Sequence, residues 1–123
     1  MKNNIILVFG GTGSIGKSLS EKLIKENYSP VIISRNENDL KTISTEIGCE
    51  YRVCDVLETE QIKKIAEEYS GLVCGVAYCV GSINLKPLKL ANDQEYIDSF
   101  KLNTHGAINS IKFNQESLST NKG

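Results

Sequence analysis

Residues 10–18 read GGTGSIGKS and directly follow a run of β-branched and aromatic residues at 5–9. Apolar residues then recur at helical spacing, at Ile15, Leu19 and Leu23. Glycine allows a tight turn and a close approach of the backbone to another group, and a helix N-terminus stabilises a bound phosphate. The stretch therefore predicts a phosphate-binding turn between a first strand and a first helix.

Two known motifs fit these letters. From Gly11 onward the stretch matches the P-loop pattern G-x-x-x-x-G-K-[ST], in which Lys17 would bind terminal phosphates and Ser18 a magnesium ion. From Gly10 onward it matches a dinucleotide-binding turn with glycines at 10, 13 and 16. A P-loop enzyme also needs an acid at the end of a hydrophobic strand, and the only candidate, Asp55, follows a polar one. The dinucleotide interpretation is favoured, and a P-loop nucleotide-binding protein is the alternative.

The apolar pattern alternates between strand and helix along the chain. Strands are predicted at residues 5–9, 31–33, 51–56 and 72–80, with helical spacing after each of them. Gly48 is predicted to end the second helix. Such alternation predicts repeated βαβ units, and right-handed crossovers favour the strand order 3-2-1-4. The predicted fold is α/β, a partial Rossmann-like doubly wound parallel sheet of about four strands with helices on both faces.

The last long helix is predicted to start at Asn92, with Glu95 three residues on as in a capping box. Its predicted inward stripe comprises Ile97, Phe100, Thr104, Ala107 and Ile111. Asn103 falls within that stripe, so its amide is expected to be shielded from water. A buried amide without a partner costs about 1–3 kcal/mol, so Asn103 needs one.

The composition of the chain argues against nucleic-acid, membrane and metal partners. The chain has 123 residues, 40% hydrophobic and 24% charged, which predicts one domain over residues 1–123 with a polar tail at 113–123. Fourteen basic and fifteen acidic residues show no basic block, so nucleic acid is not an expected partner. The apolar run at 5–9 is too short for a signal peptide or a membrane span, so no membrane partner and a cytoplasmic location are expected. Four cysteines without a C-x-x-C pattern, and one histidine, predict free thiols and no metal site.

With these motifs in order, the chain resembles the short-chain dehydrogenase/reductase family. Residues 8–16 look like the family's first strand and glycine-rich turn, with Ser14 at the usual second glycine and Gly13 one position earlier. Residues 55–56 resemble its acid–hydrophobe pair, and residues 103–106 its Asn-x-x-Gly. Residues 78–81 stand in the place of Asn-Asn-Ala-Gly, of which only Gly81 is kept. The resemblance spans the whole chain but only about the first half of a typical member.

The resemblance implies a role for each matching position. The residues implied to bind the pyrophosphate are Gly10, Gly13, Ser14, Ile15 and Gly16. Asp55 and Val56 would contact adenine, and Gly81 the ribose. Asn103 is the one catalytic-type residue, because the matching Asn of the family holds a water in a proton relay. Subunits of the family usually pair through the helix that carries this Asn, so a homo-oligomer is a possible partner arrangement.

The end of the second strand predicts which dinucleotide binds. An acid there accepts hydrogen bonds from a ribose 2′-hydroxyl, whereas an arginine accommodates a 2′-phosphate. This chain has Ser34 and Arg35 there, with no acid before Glu37. A guanidinium can bind a phosphate through two parallel hydrogen bonds. NADP(H) is therefore predicted in preference to NAD(H).

The family's reaction needs residues that this sequence does not contain. Its catalytic pair is Tyr-x-x-x-Lys, and none of the tyrosines at 28, 51, 69, 78 and 96 has a lysine four residues on. The preceding strand with its Ser is also missing, so the fourth strand is expected to be an exposed edge. Low stability alone, or association that covers this edge, would follow.

Taken together, these features predict the NADP(H)-binding half of an oxidoreductase that, when complete, transfers hydride between NADPH and a small carbonyl or alcohol substrate. The alternative is a non-catalytic module that senses a dinucleotide or mediates an interaction.

Overall fold

The computed structural model describes residues 3–82 and 85–123. The strands are Ile5–Phe9 (β1), Ser29–Ser34 (β2), Glu50–Val53 (β3) and Val73–Tyr78 (β4). The α-helices are Ser14–Lys25 (α1), Glu37–Ile47 (α2), Thr59–Glu68 (α3), Asp93–Phe100 (α4), Gly106–Lys112 (α5) and Gln115–Thr120 (α6). A 3-10 turn at Leu88–Leu90 precedes α4, and a π-helical turn at Lys101–His105 joins α4 to α5. Within these residues no helix is both long and apolar enough to cross a membrane.

The four strands form one parallel sheet in the order β3-β2-β1-β4. This confirms the predicted Rossmann-like topology. β4 ends two residues earlier than predicted because its neighbour β1 turns away at Gly10, and the last bond between them joins the Cys79 N–H to the Phe9 carbonyl at 2.7 Å. The carboxyl ends of β1, β2 and β4 therefore meet at one edge, where the glycine-rich turn also lies.

Side chains of the central strands alternate between two faces of the sheet. Leu7 and Phe9 are fully buried in a cluster with Ile62 and Ile65 of α3. Val8 is fully buried outside this cluster, because successive side chains of a strand point to opposite faces. Helices α1 and α2 contact each other, as do α3 and α5. The sheet therefore has helices on both faces, as predicted.

Two predicted helix ends are confirmed. The Asn92 side-chain oxygen accepts a hydrogen bond from the Glu95 N–H at 3.0 Å and caps α4. Gly48 follows α2 in the left-handed conformation, with φ of 77°.

The predicted inward stripe of the last long helix is wrong. Ile97, Phe100 and Ile111 are 47%, 56% and 55% exposed, and Thr104 is exposed as well. The fully buried positions are instead small or polar: Gly106, Asn109 and Ser110. Small residues let a helix approach its neighbours closely. Leu102 and Phe113 pack against the core on this face, but they are only partly buried, so the apolar pattern that marks the face is weak. The π-helical turn also inserts one residue and rotates everything after it.

Small residues also form the buried face of α1. Ile15 is 76% exposed, and Leu19 and Leu23 are half-buried. The fully buried positions of α1 are Gly16 and Ser20.

The polar residues predicted as a tail form helix α6 and pack against β4. The Ser117 Oγ accepts a hydrogen bond from the Gly71 N–H at 2.6 Å. The Asn121 side-chain nitrogen donates to the carbonyls of Gly71 and Val73, both at 3.0 Å. Among the described residues β4 has β1 as its single strand partner, so Asn121 satisfies a carbonyl at the outer edge of the sheet.

We predict that Asn121→Ala lowers the free energy of unfolding by about 1–2 kcal/mol, because two carbonyl acceptors lose their donor. Urea titration of the variant measures the change. Thr120→Ala at the exposed neighbouring position is the control and should leave the midpoint nearly unaltered. Equal midpoints for both variants would contradict a role of Asn121 at this edge.

Candidate cofactor-binding site

The glycine-rich turn places the start of α1 directly on its own backbone. A Cβ at Gly16 would lie 2.3 Å from the Gly10 carbonyl oxygen, a distance that no side chain tolerates. Gly10 itself has φ of +80°, and a Cβ there would lie 2.5 Å from the Cys79 carbonyl oxygen. Glycine is therefore required at both positions, and it brings α1, β1 and the end of β4 into contact.

The N-terminus of α1 is free of side-chain caps. Its N-cap is Gly13, which has no side chain to accept a hydrogen bond, and no acid occupies the first turn. The N–H groups of Ser14, Ile15 and Gly16 have no acceptor within the helix, as in the first turn of any helix. The helix dipole adds a partial positive charge at this point. Together these groups form a site suited to a phosphate.

A cavity of about 320 Å³ opens in front of this turn, at the carboxyl ends of the strands. Its walls come from the glycine-rich turn, the end of β2, the segment after β3, the segment after β4 and the π-helical turn. The lining residues are Gly10, Thr12, Gly13, Ile33, Ser34, Arg35, Cys54, Val56, Cys79, Val80, Gly81, Ser82 and Leu102. Open parallel sheets bind their ligands in this place.

Half of the predicted site residues line the cavity: Gly10, Gly13, Arg35, Val56 and Gly81. They come from four separate parts of the chain and meet because the parallel strands all end at this edge.

The other predicted residues lie outside the lining. Gly16 is buried beneath the turn, whereas Ser14 and Ile15 point their side chains outward. The Asp55 carboxylate accepts a hydrogen bond from the Leu57 N–H at 3.0 Å, within its own loop. Asn103 is not a lining residue either, and its amide is held by the segment that follows β4.

Both ends of the Asn103 side chain pair with the backbone of Ser82. The Oδ1 accepts from the Ser82 N–H at 2.9 Å, and the Nδ2 donates to the Ser82 carbonyl at 3.0 Å. The Nδ2 also donates to the Ser99 Oγ at 3.1 Å. Asn103 is therefore half-buried and partnered, and in this structure it fixes one wall of the cavity.

Sequence reasoning missed several lining residues. The Thr12 hydroxyl donates to the Ser34 hydroxyl at 3.2 Å, which joins the glycine-rich turn to the end of β2. Cys54 and Cys79 lie at the cavity wall where β3 and β4 end. Their positions could have indicated this, since each lies among the last three residues of a predicted strand (51–56 and 72–80), but their residue types suggested no ligand.

The thiols of the cavity are neutral. Burial raises the pKa of Cys54 to about 11 and also raises the pKa of Cys79. Neither group therefore carries a negative charge at neutral pH that would repel an anionic ligand. Both are free thiols, as expected from the sequence.

Tyr78 lies beside this wall but is unsuited to proton exchange. Burial, with a smaller contribution from Cys54, raises its pKa to about 12. A phenol that acts as a general acid or base near neutral pH needs a shift in the opposite direction.

Lys17 does not face the cavity. Its ammonium group lies 3.0 Å from the Glu46 carboxylate of α2. In a P-loop this lysine would reach toward the phosphates, so the structure does not support the P-loop alternative.

The Arg35 guanidinium is available for a ligand. It is exposed at the end of β2, lines the cavity and has no hydrogen-bond or ion-pair partner among residues 3–82 and 85–123. The Arg35 guanidinium thus lines the same cavity as Gly13 at the N-terminus of α1.

Comparison with known proteins agrees with this geometry. The family model described as short chain dehydrogenase matches residues 4–123. The chain belongs to this family. The resemblance noted from the sequence motifs is thereby confirmed.

Three of the similar proteins are all longer than this chain. "Carbonyl reductase family member 4" from Xenopus tropicalis is 29% identical over 123 residues, covering 97% of this chain and 52% of that protein. A short-chain type dehydrogenase/reductase from Mycobacterium ulcerans superposes with a TM-score of 0.86 at 21% identity, covering 95% of this chain and 47% of that one. An alcohol dehydrogenase from Thermococcus sibiricus, solved with 5-hydroxy-NADP, gives a TM-score of 0.86 at 21% identity over 98% of this chain and 55% of its own. The chain thus spans about half the length of these proteins.

We predict that Gly16→Ala destabilises the protein by about 1–3 kcal/mol, because the new methyl group would displace the backbone of the glycine-rich turn. Gly13→Ala is the matched control, since a Cβ there meets its nearest atom at 3.5 Å. Thermal unfolding followed by circular dichroism measures both. A Gly16→Ala protein as stable as Gly13→Ala would mean that α1 does not rest on the turn as described.

Proposed function

We propose that this chain binds NADP(H) in the cavity at the strand ends and serves as the cofactor-binding half of a short-chain dehydrogenase. The single observation that carries the proposal is the juxtaposition of an unpartnered arginine and an uncapped helix N-terminus on one cavity. In the complete protein the bound cofactor would exchange hydride with a small carbonyl or alcohol substrate.

The preference for NADP(H) over NAD(H) rests on Arg35. Its planar guanidinium can donate two hydrogen bonds to a 2′-phosphate. The Ser34 hydroxyl lies next to it and also lines the cavity. The first acidic residue after β2 is Glu37. Its carboxylate lies 3.7 Å from the Lys41 ammonium group, which partly balances the negative charge of Glu37. The alcohol dehydrogenase from Thermococcus sibiricus was solved with 5-hydroxy-NADP. Cofactor binding by that protein agrees with the preference proposed for this chain.

The remaining parts of the cofactor have matching surfaces. The N–H groups at the start of α1 would hold the pyrophosphate, where Gly13 leaves room for close approach. Val56 would contact the adenine, with Asp55 beside it, and Gly81 the ribose. Two features favour binding of the doubly negative pyrophosphate. The thiols at the cavity wall are neutral, and no acid occupies the first turn of α1.

In this proposal Asn103 supports the cavity wall without lining the cavity. Its amide holds Ser82, next to the position assigned to the ribose. The relay role implied for it requires a Tyr-x-x-x-Lys pair, which these 123 residues do not contain. Cofactor binding is therefore the activity expected of this chain alone.

We predict that saturating NADPH raises the melting temperature. A ligand at a hundred times its Kd contributes about 2.7 kcal/mol, which corresponds to about 10 °C for a domain of this size. A thermal shift assay with NADPH, NADH and magnesium-ATP in parallel makes the measurement. A shift with magnesium-ATP alone would contradict the dinucleotide site.

We predict that Arg35→Asp reverses the cofactor preference. The guanidinium that binds the 2′-phosphate is lost, and a carboxylate suited to the 2′-hydroxyl takes its place. The ratio of Kd values for NADPH and NADH, from fluorescence titration, should change by at least about tenfold, or about 1.4 kcal/mol.

Lys64→Asp on the exposed face of α3 is the control for Arg35→Asp, because it makes the same change in net charge away from the cavity. It should leave the ratio unaltered. An unaltered ratio for Arg35→Asp as well would overturn the assignment of the 2′-phosphate to this residue.

A further inference from the structure

The hydroxyl of Tyr78 connects the end of β4 to the π-helical turn. Its oxygen donates a hydrogen bond to the Leu102 carbonyl at 2.6 Å. The Tyr78 ring packs against Phe9 of β1, with the ring centroids 6.0 Å apart. The side chain is thus anchored in the core and reaches the helix backbone with its polar end.

The helix has room for this hydroxyl because residue 106 is a glycine. A Cβ at Gly106 would lie 2.2 Å from the Tyr78 oxygen and 3.0 Å from its Cζ. Gly106 is buried, so its backbone forms the floor on which the phenol rests. No residue with a side chain could take this position while the hydroxyl stays in place.

The hydrogen bond coincides with the change of helical register. The Gly106 N–H donates to the Lys101 carbonyl, five residues back, where an α-helix would use the Leu102 carbonyl. The Tyr78 hydroxyl donates to that Leu102 carbonyl. The phenol therefore favours the π-helical turn over a regular α-helical one, because it supplies the displaced carbonyl with a donor.

The register of this turn decides where Asn103 points. Each residue of an α-helix turns the chain by about 100°, so loss of the inserted residue would rotate one part of the helix relative to the other. Asn103 could then no longer bond both the N–H and the carbonyl of Ser82. Gly81 lies close to the same amide, since a Cβ there would be 2.8 Å from the Asn103 Oδ1.

We propose that Tyr78 is a positioning residue of the cofactor site: its hydroxyl holds the π-helical turn, and through Asn103 that turn holds the cavity wall at Gly81 and Ser82. The proposal rests on the proposed function for the identity of the ligand. Tyr78 is not among the residues that line the cavity. It acts on the segment after β4, which β1 separates from Arg35 at the end of β2. With the 2′-phosphate assigned to Arg35, the nicotinamide half is assigned to the side of the cavity next to this segment.

Tyr78→Phe tests this role, because it removes the hydroxyl and keeps the ring. NADPH should bind about fivefold more weakly, as expected for the loss of one net hydrogen bond in the wall. The probe 2′,5′-ADP, which carries only the adenosine half with its phosphates, should bind as tightly as before. A merely structural role would weaken both ligands equally, so equal weakening would overturn the proposal.

Tyr69→Phe is the matched control. It removes a phenolic hydroxyl that donates to the Glu50 carboxylate at 2.7 Å, and it does not line the cavity. It should leave the Kd values of both ligands unaltered.

Hydrogen exchange of the Ser82 amide provides a readout that needs no ligand. The Asn103 Oδ1 accepts from this N–H, so Tyr78→Phe should accelerate its exchange, measured by NMR, while Tyr69→Phe should not. If the wild-type chain bound neither NADPH nor 2′,5′-ADP, the proposed function would be wrong, and the Ser82 exchange rate would still decide whether Tyr78 holds this wall. Unaltered exchange in Tyr78→Phe would overturn the proposal whatever the ligands do.

A second variant tests whether the Tyr78 hydroxyl and Gly106 act together. Gly106→Ala introduces a Cβ into the space of the hydroxyl and should accelerate Ser82 exchange more than Tyr78→Phe does. The added cost of Gly106→Ala should be smaller in the Tyr78→Phe background, because the oxygen that it meets is gone. Additive effects of the two changes would mean that the hydroxyl and Gly106 do not act together.

Discussion

The contact between the backbone of Gly16 and the carbonyl of Gly10 is the constraint on which the rest of the site depends. It sets α1 directly on the turn that leaves β1, so the free N–H groups of the first helical turn face the carboxyl ends of the strands. Any side chain at Gly16 would push the helix away from that edge. The proposed phosphate site would thus result from close backbone approach rather than from charged side chains.

The opposite side of the cavity is built by another means. There the Asn103 side chain of the π-helical turn pairs with the backbone of Ser82 after β4, and the Tyr78 hydroxyl at the end of β4 donates to the Leu102 carbonyl. This chain has Tyr78, Cys79 and Val80 where the family has Asn-Asn-Ala, and the phenol reaches the helix because Gly106 leaves space for it. One wall therefore depends on glycine geometry, and the other depends on the side-chain hydrogen bonds of Asn103 and Tyr78.

The sequence predicted that residues at separate strand ends would meet, and the confirmed strand order is the reason that several of them do. Arg35, Val56 and Gly81 are far apart in the chain, yet all line the cavity, because parallel strands of known order end at a common edge. The prediction failed where it depended on which side of a helix is buried. Ile97 and Phe100 are about half exposed because the most buried positions of the helix are small or polar residues, so the apolar pattern of the packed face is weak.

The sequence by itself determined the topology and the turn, because both follow from properties of short segments: apolar periodicity, right-handed crossovers and the backbone freedom of glycine. Only the tertiary structure decided the π-helical turn, the pairing of Asn103 with Ser82 and the docking of α6 on β4 through Asn121. Each of these needs a donor and an acceptor from distant parts of the chain to meet within about 3 Å. The sequence pattern does not predict such a hydrogen bond, because the bond depends on how the helices and strands pack.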